Sequence, residues 1–319
     1  MDHSSEKGEG GQDLSAQALA DQKLGLLAAV SAYGVWAMLT LYYAALSHVT
    51  PLEVVSNRVV WSLVVVGLFF LVKKRWGEVW PVLRNKKSFR ALLFSSVLIS
   101  INWLTYIWAV TNQQATEASL GYFILPLVNV AMGFVFLSER LSVPQWVAIG
   151  LAALAIVLQT IWLGELPIVS LIVALSFGGY GYIRKTVDVG PNLGLLVELV
   201  LIIPFALGYL IYLFAIGEAH LFVSDTKTNI LLILTGFATY FPLLWFSAAA
   251  KRMKLSTLGV LQYMNPTIQF LLAVFVLGEA LTMEQFVTFC LIWLSVIIYS
   301  LDAFKQARRA EKTNKQKAT

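Results

Sequence analysis

Two ionisable residues stand inside long apolar stretches, Arg58 and Glu198. Charge in hydrocarbon is costly and is generally retained for function. Arg58 is followed at i+3 and i+4 by Trp61 and Ser62, so a helix places all three on one face. A guanidinium beside an indole binds an anionic or carboxylate group through charge and paired hydrogen bonds. The alternative is an arginine that snorkels outward or ties down a loop carbonyl. Glu198 reads either as a proton-coupling carboxylate or cation site, or as a structural hydrogen bond to a neighbouring helix. Glu117 opens an apolar stretch; there it either favours the first helical turn electrostatically or pairs with Arg58 and takes part in coupling.

Amides and tyrosines recur in the same stretches. Asn102 and Tyr106 lie one turn apart, Tyr122 and Asn129 flank Pro126, and Thr235, Thr239 and Tyr240 cluster. Gln262, Asn265 and Gln269 form an i, i+3, i+7 stripe around Pro266. A single such amide reads as an interhelical hydrogen bond, worth about 0.6 kcal/mol. The set reads as the wall of a substrate cavity. Trp36, Trp103, Trp108 and Trp245 also fall inside apolar stretches, where each one singly reads as packing. Pro126, Pro204, Pro242 and Pro266 are expected well inside helices, each freeing a carbonyl and marking a place that bends. Backbone freed in this way is tolerated only against protein or a water-filled cavity.

Enzyme chemistry is thinly represented. His3, His48 and His220 fall outside the apolar stretches, and neither H-E-x-x-H nor G-x-x-x-x-G-K-[ST] occurs. Cys290 is the one cysteine, so an internal disulfide or a cysteine-based metal site is excluded. No cofactor and no metal are expected.

The elements that position these residues follow from hydropathy. Of 319 residues 58% are hydrophobic and 13% charged, and mean hydropathy is +0.74. The apolar residues come in blocks of about 20, the length of helix that crosses a ~30 Å hydrocarbon core. Ten spans are expected, at 24–46, 53–72, 90–110, 117–138, 144–162, 167–184, 193–216, 229–250, 255–278 and 284–303. Residues 1–23 read as a disordered polar tail without the marks of a signal peptide. Residues 304–319 read as a loose basic tail. The net charge of +5 comes from lysines and arginines at span ends, which speaks for membrane orientation rather than nucleic acid. Twenty-one of them lie in the tails and even-numbered connections, and Lys227 alone in the odd-numbered ones. By the positive-inside rule both termini are cytoplasmic.

The two halves resemble each other. At an offset of 140, Pro126, Glu139 and Gln145 fall on Pro266, Glu279 and Gln285, and Arg58 falls on Glu198. Glu139 and Glu279 are expected at membrane boundaries, in exposed or interfacial positions. Five spans per half is an odd number, so the second copy must be inserted upside down. That is a recurring plan of secondary transporters, with the substrate between the halves.

Several of these segments are similar to a known family. They are Glu53 to Ser62, Asn102-Trp103, Glu117 to Ile124 with Pro126 to Asn129, Tyr182-Ile-Arg184-Lys185, Glu198, Leu255 to Gly259, Gln262-Tyr263, Pro266-Thr267 and Gly278-Glu279. In combination they resemble the RarD-type permeases of the EamA branch of the drug/metabolite transporter superfamily. The resemblance implies an all-α integral membrane protein of ten helices in two inverted five-helix EamA-like repeats, 24–162 and 167–303. It also implies a bacterial inner-membrane location and a small-molecule substrate, and leaves substrate, direction, coupling ion and oligomeric state open. The competing readings are a structural or sensory membrane protein and an integral membrane enzyme.

Overall fold

A computed structural model describes residues 6–137, 141–164, 166–252 and 261–318. All regular structure among them is helical. The helices are α1 (Glu6–Ala44), α2 (Pro51–Val72), α3 (Val79–Arg84), α4 (Lys86–Thr111), α5 (Ala115–Leu137) and α6 (Val143–Leu163). After these come α7 (Ile168–Thr186), α8 (Pro191–Ile216), α9 (Thr226–Arg252), α10 (Met264–Phe275) and α11 (Met283–Ala318). Eight stretches are long and apolar enough to cross a membrane, within α1, α2, α4, α5, α6, α8, α9 and α11. The chain is therefore a multi-pass membrane protein. Of the ten expected spans, α7 carries glycines, tyrosines, Arg184 and Lys185 on 19 residues and falls outside that set. The first residues of the expected span 255–278 lie outside the described residues.

Three expectations are corrected. Helix α1 starts at Glu6 and α11 continues to Ala318, through both segments read as loose tails. Those segments are rich in Glu, Lys, Gln and Ala, good helix formers. Pro266 is not deep inside a helix. It is the third residue of α10, and in a first turn its missing N–H removes no intrahelical bond. Pro126, Pro204 and Pro242 do lie inside α5, α8 and α9.

Local signals set the helix starts. Proline opens α2 and α8 at Pro51 and Pro191, where a fixed φ suits N1. Helix α6 begins with a capping box: Ser142 Oγ accepts from Gln145 N at 3.3 Å and Gln145 Oε1 from Ser142 N at 3.0 Å. Thr282 and Gln285 repeat it at α11, at 3.2 and 3.1 Å. The glutamines related by 140 residues are thus helix caps, which satisfy backbone donors at both ends of the bond.

The glutamates related by the same offset are structural in at least one half. Glu279 was expected at an exposed or interfacial boundary, but it is buried. Its Oε1 and Oε2 accept from the backbone N–H of Ala115 at 2.7 Å and Thr116 at 2.8 Å. A carboxylate on the first N–H groups of α5 satisfies orphan donors and complements the helix dipole. Glu139 lies outside the described residues. Glu279→Ala strands both donors and should lower stability in detergent by about 2 kcal/mol; an unchanged unfolding midpoint would contradict this role.

Helix packing follows a mirrored pattern. α1 lies on α9 as α7 lies on α4, α5 on α7 as α10 on α1, and α2 on α9 as α8 on α4. α2 with α8, α5 with α10 and α6 with α11 complete it. Glycines set the closest approaches. A Cβ on Gly121 of α5 would stand 2.6 Å from the Ser170 carbonyl oxygen of α7, and one on Gly236 of α9 would stand 2.4 Å from the Trp61 carbonyl of α2. Lipid offers no hydrophobic drive for helices to associate, so small residues that let backbones meet take on that task.

Candidate functional site

Arg58 is the eighth residue of α2, about 10 Å along the helix from its start at ~1.5 Å per residue. It is 6% exposed, so it does not snorkel. Its Nε donates to Thr239 Oγ1 on α9 at 2.9 Å, and its Nη1 donates to the Tyr43 hydroxyl on α1 at 3.0 Å. The guanidinium carbon lies 4.1 Å from the centre of the Trp103 ring on α4. Arg58 thus ties together four helices, three from the first half of the chain and one from the second.

Trp61 was expected to be the indole beside Arg58, and the structure assigns that place to Trp103. Residues at i and i+3 stand side by side along their own helix. The flat approach of a ring to a guanidinium comes from across the interface. Trp61 instead meets α9 with its backbone, opposite Gly236. Its Nε1 and the Ser62 Oγ are buried without hydrogen-bond partners.

Four other expected site residues join Arg58 in one network. Tyr43 meets Tyr106 edge-on with ring centres 6.1 Å apart, Tyr106 meets Tyr122 at 5.7 Å, and Tyr122 meets Phe177 at 6.2 Å. Polar tips knit the row. Gln269 Nε2 donates to the Tyr106 hydroxyl at 3.1 Å, which also shares a proton with Thr40 at 3.0 Å. Tyr122 donates to Asn102 Oδ1 at 3.1 Å, and Asn102 Nδ2 donates to the Val173 carbonyl at 3.0 Å. Gln269 Oε1 is buried and unpartnered.

The remaining candidates lie elsewhere. Asn129 is exposed, with its amide oxygen beside Gly178 and Gly181 of α7. Tyr240 packs on Phe69, with ring centres 6.1 Å apart. It follows Thr239 directly, so the helix turns it about 100° away from Arg58. Gln262, two residues before α10, and Asn265, its second residue, are half-buried, and the Asn265 Oδ1 is without a hydrogen-bond partner among the described residues. Glu117 lines a cavity of about 640 Å³ with Thr50, Leu104, Thr105, Trp108 and Gln114. Its backbone carbonyl accepts from Ser170 Oγ at 2.7 Å.

Glu198 forms a second centre. It is the eighth residue of α8, as Arg58 is of α2, and 1% exposed. Ser95 Oγ of α4 donates to its Oε1 at 2.6 Å, and the Tyr180 hydroxyl of α7 to its Oε2 at 3.5 Å. Arg184 Nη1, also from α7, lies 3.8 Å from Oε1. Sequence reasoning counted Arg184 among the basic span ends and in a family-like segment, and gave it no role beside Glu198. The available signal was its spacing from Tyr180, i to i+4 on one face, next to the one other span that carries a buried charge. Arg184 lies against the Cα of Gly194, where a Cβ would come within 1.7 Å of Nη1, and Nη2 donates to the carbonyls of Gly190 and Pro191 at 3.3 Å.

A third acidic anchor, Glu53, was also missed. It is fully buried near the start of α2. It accepts from the backbone N–H and ring Nδ1 of His220, both at 2.8 Å, and from Leu221 N at 3.4 Å. It therefore holds the α8–α9 connection onto the beginning of α2.

Comparison with known proteins gives the family of the chain. The EamA-like transporter family matches residues 23–161. An "uncharacterized transporter" of Vibrio cholerae is 41% identical over 292 residues, covering 92% of this chain and 97% of that protein. Protein RarD of Escherichia coli strain K12 is 40% identical over 291 residues, covering 90% and 97%. A crystal structure 17% identical in sequence superposes with a TM-score of 0.56 over 88% of this chain and 96% of the other, which speaks for the fold alone. The chain belongs to the RarD-type branch of the EamA-like transporter family.

Proposed function

We propose that the protein is a secondary transporter that moves a small metabolite or drug across the bacterial inner membrane, with the Arg58 centre as its substrate site. The observation that carries this is the Arg58 centre itself: a buried guanidinium whose hydrogen-bonding partners are neutral hydroxyls, at a junction of helices from both halves. Among the described residues no carboxylate hydrogen-bonds to Arg58; a buried cation without a counter-charge is expensive, and that suits an anionic ligand that comes and goes. A structural or sensory protein has no need of that arrangement. An integral membrane enzyme would need acid–base or nucleophilic groups converging on one cavity.

In this reading α7 and the segment that contains α10 join the eight long apolar helices to make ten spans. The halves 24–162 and 167–303 are inverted EamA-like repeats, which the mirrored pairing of α1, α2, α4, α5 and α6 with α7 to α11 supports. Both termini face the cytoplasm, supported by the basic-residue asymmetry. Arg58 then lies in the outer half of the membrane and Glu198 in the cytoplasmic half. Glu198, held by Arg184, is the coupling carboxylate: its protonation releases α7 from α8 and opens the cytoplasmic side. Alternation between the two centres moves substrate without a cofactor. Uptake into proteoliposomes that hold the purified full chain, under an imposed pH gradient, tests the reading. Saturable uptake above protein-free vesicles is expected for at least one small metabolite. Uptake equal to protein-free vesicles across a broad metabolite panel would overturn it.

A further inference from the structure

We infer that the Arg58 centre is built to take a carboxylate, and that the Glu198 centre of the same chain shows how it is held; this rests on the substrate-site reading above. The two centres use equivalent helices. α2, α1 and α9 supply Arg58, Tyr43 and Thr239. Their mirrored counterparts α8, α7 and α4 supply Glu198, Tyr180 with Arg184, and Ser95. Each centre therefore holds one guanidinium, one tyrosine hydroxyl and one aliphatic hydroxyl. The Glu198 centre also holds a carboxylate, on which the other three groups converge. The Arg58 centre has the same three kinds of group and, among the described residues, no carboxylate; its Thr239 hydroxyl accepts from Arg58 and donates to the Thr235 carbonyl at 2.9 Å.

The donors left over at Arg58 have the right form. A guanidinium carries five N–H bonds, and the hydrogen bonds to Thr239 and Tyr43 use one on Nε and one on Nη1. The Tyr43 hydroxyl accepts from Arg58, so its own proton remains to be donated. Trp103 covers one face of the guanidinium at 4.1 Å, which leaves the edge for an incoming group. An edge-on guanidinium with a neighbouring hydroxyl suits the two oxygens of a planar carboxylate. The row of Tyr43, Tyr106, Tyr122 and Phe177 beside it offers ring edges and faces to an organic body. The ligand class is thus an organic monocarboxylate with an apolar or aromatic body.

Two arms test this on the full chain purified in detergent. In the first, thermal unfolding is followed with phenylacetate, phenylacetamide and phenyl phosphate. Phenylacetate should raise the midpoint and the other two should not. Arg58→Gln should weaken the phenylacetate response at least about 30-fold, the lower end of what losing a desolvated charge pair costs. Equal responses to all three compounds would overturn the assignment.

The second arm needs no ligand. Thr239→Asp places an internal carboxylate beside Arg58, as Glu198 stands beside Arg184. It should unfold at or above the wild-type midpoint and lose any response to phenylacetate. Thr235→Asp, one turn away on α9 and equally buried, gives a charge without that guanidinium and should unfold at a lower temperature. If Thr239→Asp is as unstable as Thr235→Asp, the centre is not built for a carboxylate. Failure of both arms with gradient-driven uptake intact removes the carboxylate assignment and leaves the transporter reading in place.

Discussion

Glu198→Ala is expected to lose about 3 kcal/mol of stability in detergent, the scale on which breaking one side of a buried ion pair operates. Three groups converge on this carboxylate: the Ser95 hydroxyl at 2.6 Å, the Tyr180 hydroxyl at 3.5 Å and Arg184 at 3.8 Å. Its loss leaves Arg184 with a charge, little water and, among the described residues, the carbonyls of Gly190 and Pro191 as acceptors. Desolvation of the stranded cation, not the lost attraction, dominates the cost. The double variant Glu198→Gln/Arg184→Met removes both charges and should recover most of the loss, because a buried pair replaced by neutral groups of similar size is often nearly neutral. Ser95→Ala removes one hydrogen bond and should cost about 1 kcal/mol. Equilibrium unfolding of the three variants separates these contributions. A double variant as unstable as Glu198→Ala would show that packing around α7 and α8, not charge, holds the centre.

Gly236→Ala is expected to be the most damaging of the single-methyl additions. The added carbon would stand 2.4 Å from both backbone atoms of the Trp61 carbonyl and 2.8 Å from Trp61 Cβ. Backbone cannot rotate away as a side-chain tip can, so α9 must move off α2. Overpacking of this kind costs about 1–3 kcal/mol. The movement has a second consequence. Thr239 lies three residues after Gly236 and Arg58 three residues before Trp61, so the Arg58–Thr239 hydrogen bond spans the same interface. Gly236→Ala should therefore lengthen that bond and weaken ligand binding together with stability. Gly150 and Gly208 meet nothing within 4 Å of an added Cβ. Alanine at either should be neutral or slightly stabilising, through helix propensity alone. Expression level and unfolding midpoint of the three variants check the order; a Gly236→Ala protein as stable as Gly150→Ala would mean that α2 and α9 are not in backbone contact.

The parts of this structure that were legible in the sequence depend on one segment at a time. Apolar block length gives the long helices, since the hydrocarbon thickness fixes how many residues a helix needs. Arg58 and Glu198 stand out because charge in such a block is rare. The parts that were not legible depend on which helix faces which. Trp103 stands 45 residues from Arg58 and occupies the place that Trp61, three residues away, was expected to fill. Arg184 counted as a basic span end and part of a family-like segment, and nothing tied it to Glu198 until α7 was laid beside α8. Glu279 was read as a boundary acid because nothing local says that the backbone of Ala115 and Thr116, more than 160 residues away, lies within reach. The match of Gln145 with Gln285 was visible in the sequence, and its structural cause, a pair of helix caps, appears only once the hydrogen bonds are seen.

We propose above that Arg58 touches the transported molecule. Kinetics of uptake into proteoliposomes with wild type, Arg58→Lys and Arg58→Gln, at matched protein content and with thermal unfolding measured in parallel, test that contact. Lysine keeps the charge and loses the planar fork; glutamine keeps some hydrogen bonding and loses the charge. If Arg58 holds the substrate, both variants raise KM at least about tenfold or abolish uptake, while protein amount in the membrane stays near wild type. Normal uptake kinetics in Arg58→Gln, at normal protein amount, would contradict the account and leave Arg58 as a bolt between α1, α2 and α9.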